Sequence, residues 1–202
     1  MTLGFSLRME GKKNVPASGP VLVLANHQSF LDPVVVGLAS GRRMCYLARK
    51  TLFRNPIFGG FIRALRAVPI DQDGVGKEGI RTVLDLLGQG KAVVVFPEGE
   101  RTPTGDQQAM RAGVHLLLKR TAAPIVPMGI AGAYDAWPCW RPYPIPAPLF
   151  WPARPGAIAV SVAPPIDSRH LLDLPREQFL DELFRIIKRS CARAERLRRQ
   201  SP

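Results

Sequence analysis

Short apolar runs recur along the chain, each ended by a polar or glycine-bearing break. Val21–Ala25, Ala67–Ile70, Ile158–Val162 and residues 44–48, 92–96 and 124–130 are the clearest of them. Runs this short without alternation predict strands covered on both faces, and 92–96 is the most strand-like. Between them the period changes. Ile80, Val83, Leu84 and Leu87 stand at i, i+3, i+4 and i+7, one face of an amphipathic helix ending at Gly88. Residues 34–39 and 110–119 also read as helical, the former closed by Ser40-Gly41-Arg42-Arg43 with glycine and cations at its end. A last helix is expected over 175–200. Phe179, Leu183, Ile186, Ile187 and Ala194 lie on one side of it, and Arg185, Lys188, Arg189, Arg193, Arg196, Arg198 and Arg199 dominate the rest.

Strand and helix alternate with short links, so the expected fold class is α/β: a single domain over residues 1–202, with a mostly parallel central sheet flanked by helices and a basic C-terminal helix. Residues 1–20 read as a short leader, and residues 71–79 as a polar loop. Residues 49–62 are apolar and aromatic, punctuated by glycine and proline, with cations at the front. Residues 134–155 break the rhythm with tryptophans among prolines. No internal repeat or second domain is visible.

Composition changes this picture in one respect. With 46% hydrophobic and 22% charged residues the chain is ordinary for a globular protein, but its net charge is +12. Such an excess points to an anionic partner: nucleic acid, an anionic membrane surface or a phosphorylated small molecule. Cys45, Cys139 and Cys191 are odd in number and widely spaced, which argues for a reducing cytosol rather than a disulfide framework. The start lacks the apolar stretch of a secretion signal, and no window reaches the length of a transmembrane helix, so any membrane association is expected to be peripheral.

The candidate chemistry begins where the first buried run ends, at Asn26-His27-Gln28-Ser29-Phe30-Leu31-Asp32-Pro33. Imidazole takes and returns a proton near neutral pH, and a carboxylate on its far nitrogen would fix the tautomer and stabilise the imidazolium. The five-residue spacing allows Asp32 to fold back onto His27. The plainer reading makes His27 a loop residue and Asp32 a helix N-cap before proline. In open α/β sheets, sites form beyond the carboxyl ends of the strands. Three polar loops leave strands at that edge. They carry His27 and Asp32, then Arg49 and Lys50, then Glu98, Gly99 and Arg101.

Asn26-His27 with Asp32-Pro33, and Phe96-Pro97-Glu98-Gly99 with Arg101, resemble motifs I and III of the glycerolipid acyltransferases, the lysophosphatidic acid acyltransferase family. Arg49-Lys50-Thr51-Leu52 through Pro56, Gly59 and Val68-Pro69-Ile70-Asp71 resembles motif II, and Ala123-Pro124-Ile125-Val126-Pro127 resembles motif IV. The four blocks stand in order over about residues 15–165. One position departs: the family usually has threonine where this chain has Glu100, a carboxylate that either weakens phosphate binding or points away.

The resemblance implies an enzyme that moves a fatty acyl group from acyl-CoA or acyl-carrier protein to a hydroxyl of 1-acyl-sn-glycerol 3-phosphate, giving phosphatidic acid in phospholipid synthesis. The same chemistry on glycerol 3-phosphate, another lysophospholipid or a lyso-ornithine lipid is the alternative. By the same resemblance His27 is the general base and Asp32 its orienter. Arg101, with Arg49 or Lys50, holds the acceptor's phosphate, and backbone amides around Gly99 assist. Glu98 either binds acceptor hydroxyls or structures its loop. Ser29, two residues from His27, offers a competing acyl-enzyme route. Neither a cofactor nor a metal is expected: His27, His115 and His170 are dispersed, and His115 reads as structural.

A lipid acyltransferase without a spanning helix must reach the bilayer peripherally, here expected at the cytoplasmic face of the cell membrane. The basic terminal helix, the segment 57–62 and the aromatic region 137–151 are the candidate docking elements. A partner role for nucleic acid is not expected, since no zinc-finger or RNA-binding signature accompanies the charge.

Overall fold

The structure is a computed structural model in which residues 6–71, 76–141, 143–145 and 157–200 are described. Seven strands form one sheet: β1 (Leu7–Glu10), β2 (Val21–Ala25), β3 (Met44–Arg49), β4 (Ala67–Ile70), β5 (Ala92–Val95), β6 (Ile125–Ala131) and β7 (Ile158–Val162), in the order β1-β7-β6-β2-β5-β3-β4. From β6 to β4 every neighbouring pair is parallel. β7 runs antiparallel to β6, and β1 pairs parallel with β7. The α/β expectation with a mostly parallel sheet holds. Residues 1–20 read as a leader, yet they supply the edge strand β1, whose four positions include none that is fully buried and so carry no buried apolar run.

Two apolar layers cover the sheet. On one face α1 (Asp32–Ser40) packs Val35, Val36 and Ala39 against Val23, Tyr46, Val94 and Val160. On the other, α3 (Lys77–Gly88), α4 (Gly113–Arg120), α6 (Arg169–Leu172) and α7 (Arg176–Arg199) bury a cluster including Leu22, Leu24, Val83, Leu117, Phe179 and Leu183. The stretch with no assigned periodicity, 49–62, becomes a 3-10 turn (Lys50–Phe53) and α2 (Pro56–Ala64), which flank β4 beside the α1 face. A short α5 (Ala133–Ala136) follows β6; most of the proline-rich region beyond it lies outside the described residues.

α7 lies close on the sheet. A Cβ on Gly129 of β6 would overlap the backbone of Ser190 and Cys191, so glycine there permits helix and strand to touch. α4 starts at Gly113 rather than at Met110. The three preceding residues are used otherwise, since the Arg111 amide donates to the Pro97 carbonyl (2.8 Å) and locks this segment to the loop after β5.

Candidate active site

β6, β2, β5 and β3 are adjacent and parallel, so the loops leaving their carboxyl ends meet at one edge. β2 delivers His27, β5 delivers Glu98 to Arg101, β3 delivers Arg49, and β6 leads through α5 to Trp137. Of the residues expected there, His27, Arg49, Gly99 and Arg101 line one cleft, and Lys50 and Glu98 do not.

Asp32 is fully buried and turns back on the loop. Its Oδ2 accepts from His27 Nδ1 at 2.7 Å and from the backbone amides of Gln28 (2.5 Å) and Ser29 (2.8 Å). It is the first residue of α1 rather than a cap, with Leu31 in the cap position and Pro33 following in the first turn. With Oδ2 accepting from the ring and from two amides, the ring is fixed so that Nδ1 carries the proton. The nitrogen left to accept a proton is Nε2. The imidazole stacks on Phe96, with centroids 4.0 Å apart and planes 12° from parallel. This fixes the remaining freedom of the ring.

Asn26 had no role in the sequence reading beyond its place in the motif. It is 2% exposed, and its amide makes a two-way bridge to β6: Nδ2 donates to the Ile130 carbonyl (3.0 Å) and Oδ1 accepts from the Ile130 amide (2.8 Å). This bridge ends β2 and points the chain toward His27. An unusual polar residue directly after a buried apolar strand was the available signal.

Glu98 resolves toward structuring the loop. It is 3% exposed and does not line the cleft; Oε1 accepts from the His27 amide (3.0 Å) and Oε2 from the Gln108 amide (2.8 Å). Its role is to clamp the histidine loop to the loop after β5, reinforced by the Thr102 amide donating to the His27 carbonyl (2.9 Å). Burial pushes its carboxyl up to about 7 despite the two amide donors.

The cations divide. Arg49 and Arg101 both line the cleft, whereas Lys50 points elsewhere and pairs with Asp71 (2.6 Å) at the exposed surface. Arg101 lies over the Phe30 ring, its guanidinium carbon 3.9 Å from the centroid, and its buried Nε has no hydrogen-bond partner among the described residues. Burial lowers its pKa, with the Arg49 charge acting more weakly in the same direction. The departing Glu100 does not neutralise Arg101. Its carboxylate pairs with Arg111 (3.2 Å) on the outside. Gly99 lines the cleft through its left-handed conformation (φ 83°), but its amide is spent on the Phe96 carbonyl (3.0 Å) and is not a free phosphate donor.

Ser29 is buried, and its hydroxyl is engaged on both sides: Oγ donates to the Trp137 carbonyl (2.6 Å) and accepts from the Leu31 amide (3.1 Å). His115 packs edge-on against Phe179 on the far face of the sheet, 4.7 Å between centroids, away from this site. Among the described residues no group of His, Cys, Asp and Glu could hold a metal ion.

Behind the polar mouth lies a cavity of about 640 Å³. Its floor is the sheet at Tyr46, Ala48, Ala67 and Val94, one side is Leu31 and Val34 of α1 and the turn before it, and the opposite wall is Phe58, Phe61 and Ile62 of α2. His27, Arg49 and Arg101 line this largely apolar chamber. The arrangement places an imidazole and two guanidinium groups against an apolar space of ligand size.

The chain is 28% identical over 133 residues to the 1-acyl-sn-glycerol-3-phosphate acyltransferase of Bacillus subtilis, covering 65% of this chain and 66% of that protein. It is 27% identical over 137 residues to a chloroplastic 1-acyl-sn-glycerol-3-phosphate acyltransferase of Arabidopsis thaliana, covering 66% of this chain and 38% of the relative. The chain thus spans two thirds or less of the length of these relatives. The crystal structure of the 1-acyl-sn-glycerophosphate acyltransferase from Thermotoga maritima shares the fold, with a TM-score of 0.77 at 24% identity over 96% of this chain and 73% of that one. The family model described as Acyltransferase matches residues 6–131, from β1 through the histidine loop and the Glu98 loop to the end of β6, and the chain belongs to that family.

Proposed function

We propose that this protein transfers a fatty acyl group from a thioester, acyl-CoA or acyl-carrier protein, to the free hydroxyl of 1-acyl-sn-glycerol 3-phosphate, giving phosphatidic acid, at an anionic membrane surface. The observation that carries the reading is the His27–Asp32 pair placed beside Arg49 and Arg101 at the mouth of an apolar cavity. The names of the similar proteins support the same acceptor.

In this mechanism His27 Nε2 takes the acceptor's hydroxyl proton as the oxygen attacks the thioester carbonyl. Asp32 stabilises the imidazolium that forms. Collapse of the tetrahedral intermediate breaks the carbon–sulfur bond, and the imidazolium returns the proton to the leaving thiolate. The arginine pair, with Nε of Arg101 as an unfilled donor, suits two phosphate oxygens. The double engagement of the Ser29 hydroxyl favours direct transfer over an acyl-enzyme.

The test is an acyl-transfer assay with acyl-CoA and acyl-carrier protein over a panel of acceptors: 1-acylglycerol 3-phosphate, glycerol 3-phosphate, a lysophospholipid and a lyso-ornithine lipid. Phosphatidic acid formation that falls about 10²–10⁴-fold in His27→Ala is expected for a positioned base. Full activity in His27→Ala, or turnover confined to another acceptor, would sink it.

A further inference from the structure

α2 is two-sided. Toward the protein, Phe58, Phe61 and Ile62 form a wall of the cavity. Toward solvent the same helix leaves Ile57 85% exposed, Phe61 52% and Phe58 36%. Single exposed apolar residues are ordinary, but three on one short helix that also closes an apolar chamber are not. Phe58 and Phe61 thus line the chamber and also keep exposed surface, and Ile57 beside them is exposed without lining it.

Along residues 49–70 the charge has one sign, with Asp71 just beyond them pairing with Lys50. From Arg49 to Ile70 the chain contains Arg49, Lys50, Arg54, Arg63 and Arg66 and no acidic residue. Arg54 before the helix, Arg63 in its last turn and Arg66 after it are exposed. Exposed apolar side chains with cations at both ends of the helix match the acyl region and the anionic headgroups of one leaflet, and a soluble partner protein would need a matching acidic groove to do the same. The helix is held rigidly for such a role. Asn55 caps it, its Oδ1 accepting from the amides of Ile57 and Phe58 (both 3.0 Å), and Gly59 allows close approach to the Phe53 carbonyl, 2.9 Å from where a Cβ would sit.

We infer that α2 is the element that docks on an anionic lipid leaflet, and that lipid chains enter the cavity sideways from that leaflet past Phe58 and Phe61. The inference rests on the acyltransferase reading for what the cavity holds. It goes beyond that reading in assigning the docking surface and the route, and in preferring α2 to the basic helix α7, whose apolar side is already buried on the sheet.

Ile57 and Arg54 lie outside the cavity wall and the catalytic pair, so their substitution isolates docking. The full chain is sedimented with phosphatidylglycerol vesicles and with phosphatidylcholine vesicles. Binding to the former alone is expected, with Ile57→Asp and Arg54→Glu each weakening it by about fivefold or more, the cost of about one surface cation at a membrane. A double change on α7, Arg185→Glu with Lys188→Glu, is expected to weaken it less. Turnover of vesicle-embedded acceptor should fall with binding in Ile57→Asp, while turnover of the same acceptor class with a short chain, dispersed below its micellar concentration, stays at the parental rate. Unchanged thermal melting shows that the variants are folded. Parental binding in both α2 variants, a larger loss in the α7 variant, or a solution dimer dissociated by Ile57→Asp would each overturn the inference. Absence of acyl transfer to every acceptor would instead defeat the reading of the reaction and leave the vesicle result to judge the docking surface.

Discussion

At the scale of single residues the histidine loop depends on one oxygen. Asp32 Oδ2 serves the imidazole and two backbone amides together, so Asp32→Asn should both mis-set the ring tautomer and weaken the turn. A fall in kcat of about 10²-fold or more with a small change in KM is expected, read from steady-state rates beside a thermal melt. Arg101→Ala should act on the other parameter, raising KM for a phosphate-bearing acceptor far more than for an uncharged one. Arg101→Lys should recover only part of the loss, because a point charge does not replace the planar fork. Glu98 supplies a pH test. Its folded pKa of about 7 lies above the ordinary 4.5, so between these values the folded protein holds a proton that the unfolded chain has released. Stability from this group is therefore greatest below about 4.5 and declines as pH rises through 7, by at most a few kcal/mol. Comparison of denaturation midpoints from pH 5 to 8 should show this slope in the parent and its loss in Glu98→Gln. That variant should also lose one backbone amide acceptor, costing about 1–3 kcal/mol.

At the scale of elements, the site depends on how strand ends are tied. The Asn26 amide bridges β2 to β6, and both of its groups are satisfied in the interior. Asn26→Ala would leave the Ile130 N–H and carbonyl unpaired at about 1–3 kcal/mol each, visible as a lowered denaturation midpoint and a lower kcat through the displaced His27 loop. Gly129 is the corresponding point for helix packing. Gly129→Ala pushes a methyl group into the backbone of α7, and a loss of about 3 kcal/mol or failure to fold is expected. The histidine motif and the run 92–96 were legible because each is local: a buried apolar stretch followed directly by its polar turn. β1 and α2 were not, since an edge strand needs little apolar character and α2 buries only Gly59 and Ile62.

At the scale of the whole molecule, the sheet divides labour between its faces. The face with α3, α4, α6 and α7 is filled by packing, whereas the α1 face is left open beside β3 and β4, and that gap is the cavity. Its volume should set which acyl chains are accepted. Enlarging Ala67 on the cavity floor to phenylalanine should shift preference toward shorter chains, measured as relative kcat/KM over a donor series. Parental chain preference in Ala67→Phe would show that the chain lies elsewhere. No helix among the described residues is long and apolar enough to cross a membrane.

Periodicity, turn residues and the spacing of polar clusters were enough to read an α/β chain with a histidine–aspartate pair and two cation-bearing loops, because those properties are carried by neighbours in the chain. Which side chain served which task depended on strand order. Setting β5 between β2 and β3 put Glu98 beneath the His27 loop, where its oxygens meet two amides, instead of in the cleft. At the end of β3 Arg49 lines the cleft while the adjacent Lys50 pairs with Asp71. Arg111, eleven positions from Glu100, pairs with the carboxylate that stands next to Arg101 in the chain. Such assignments arise from contacts between residues distant in the chain, and local pattern carries no information about them.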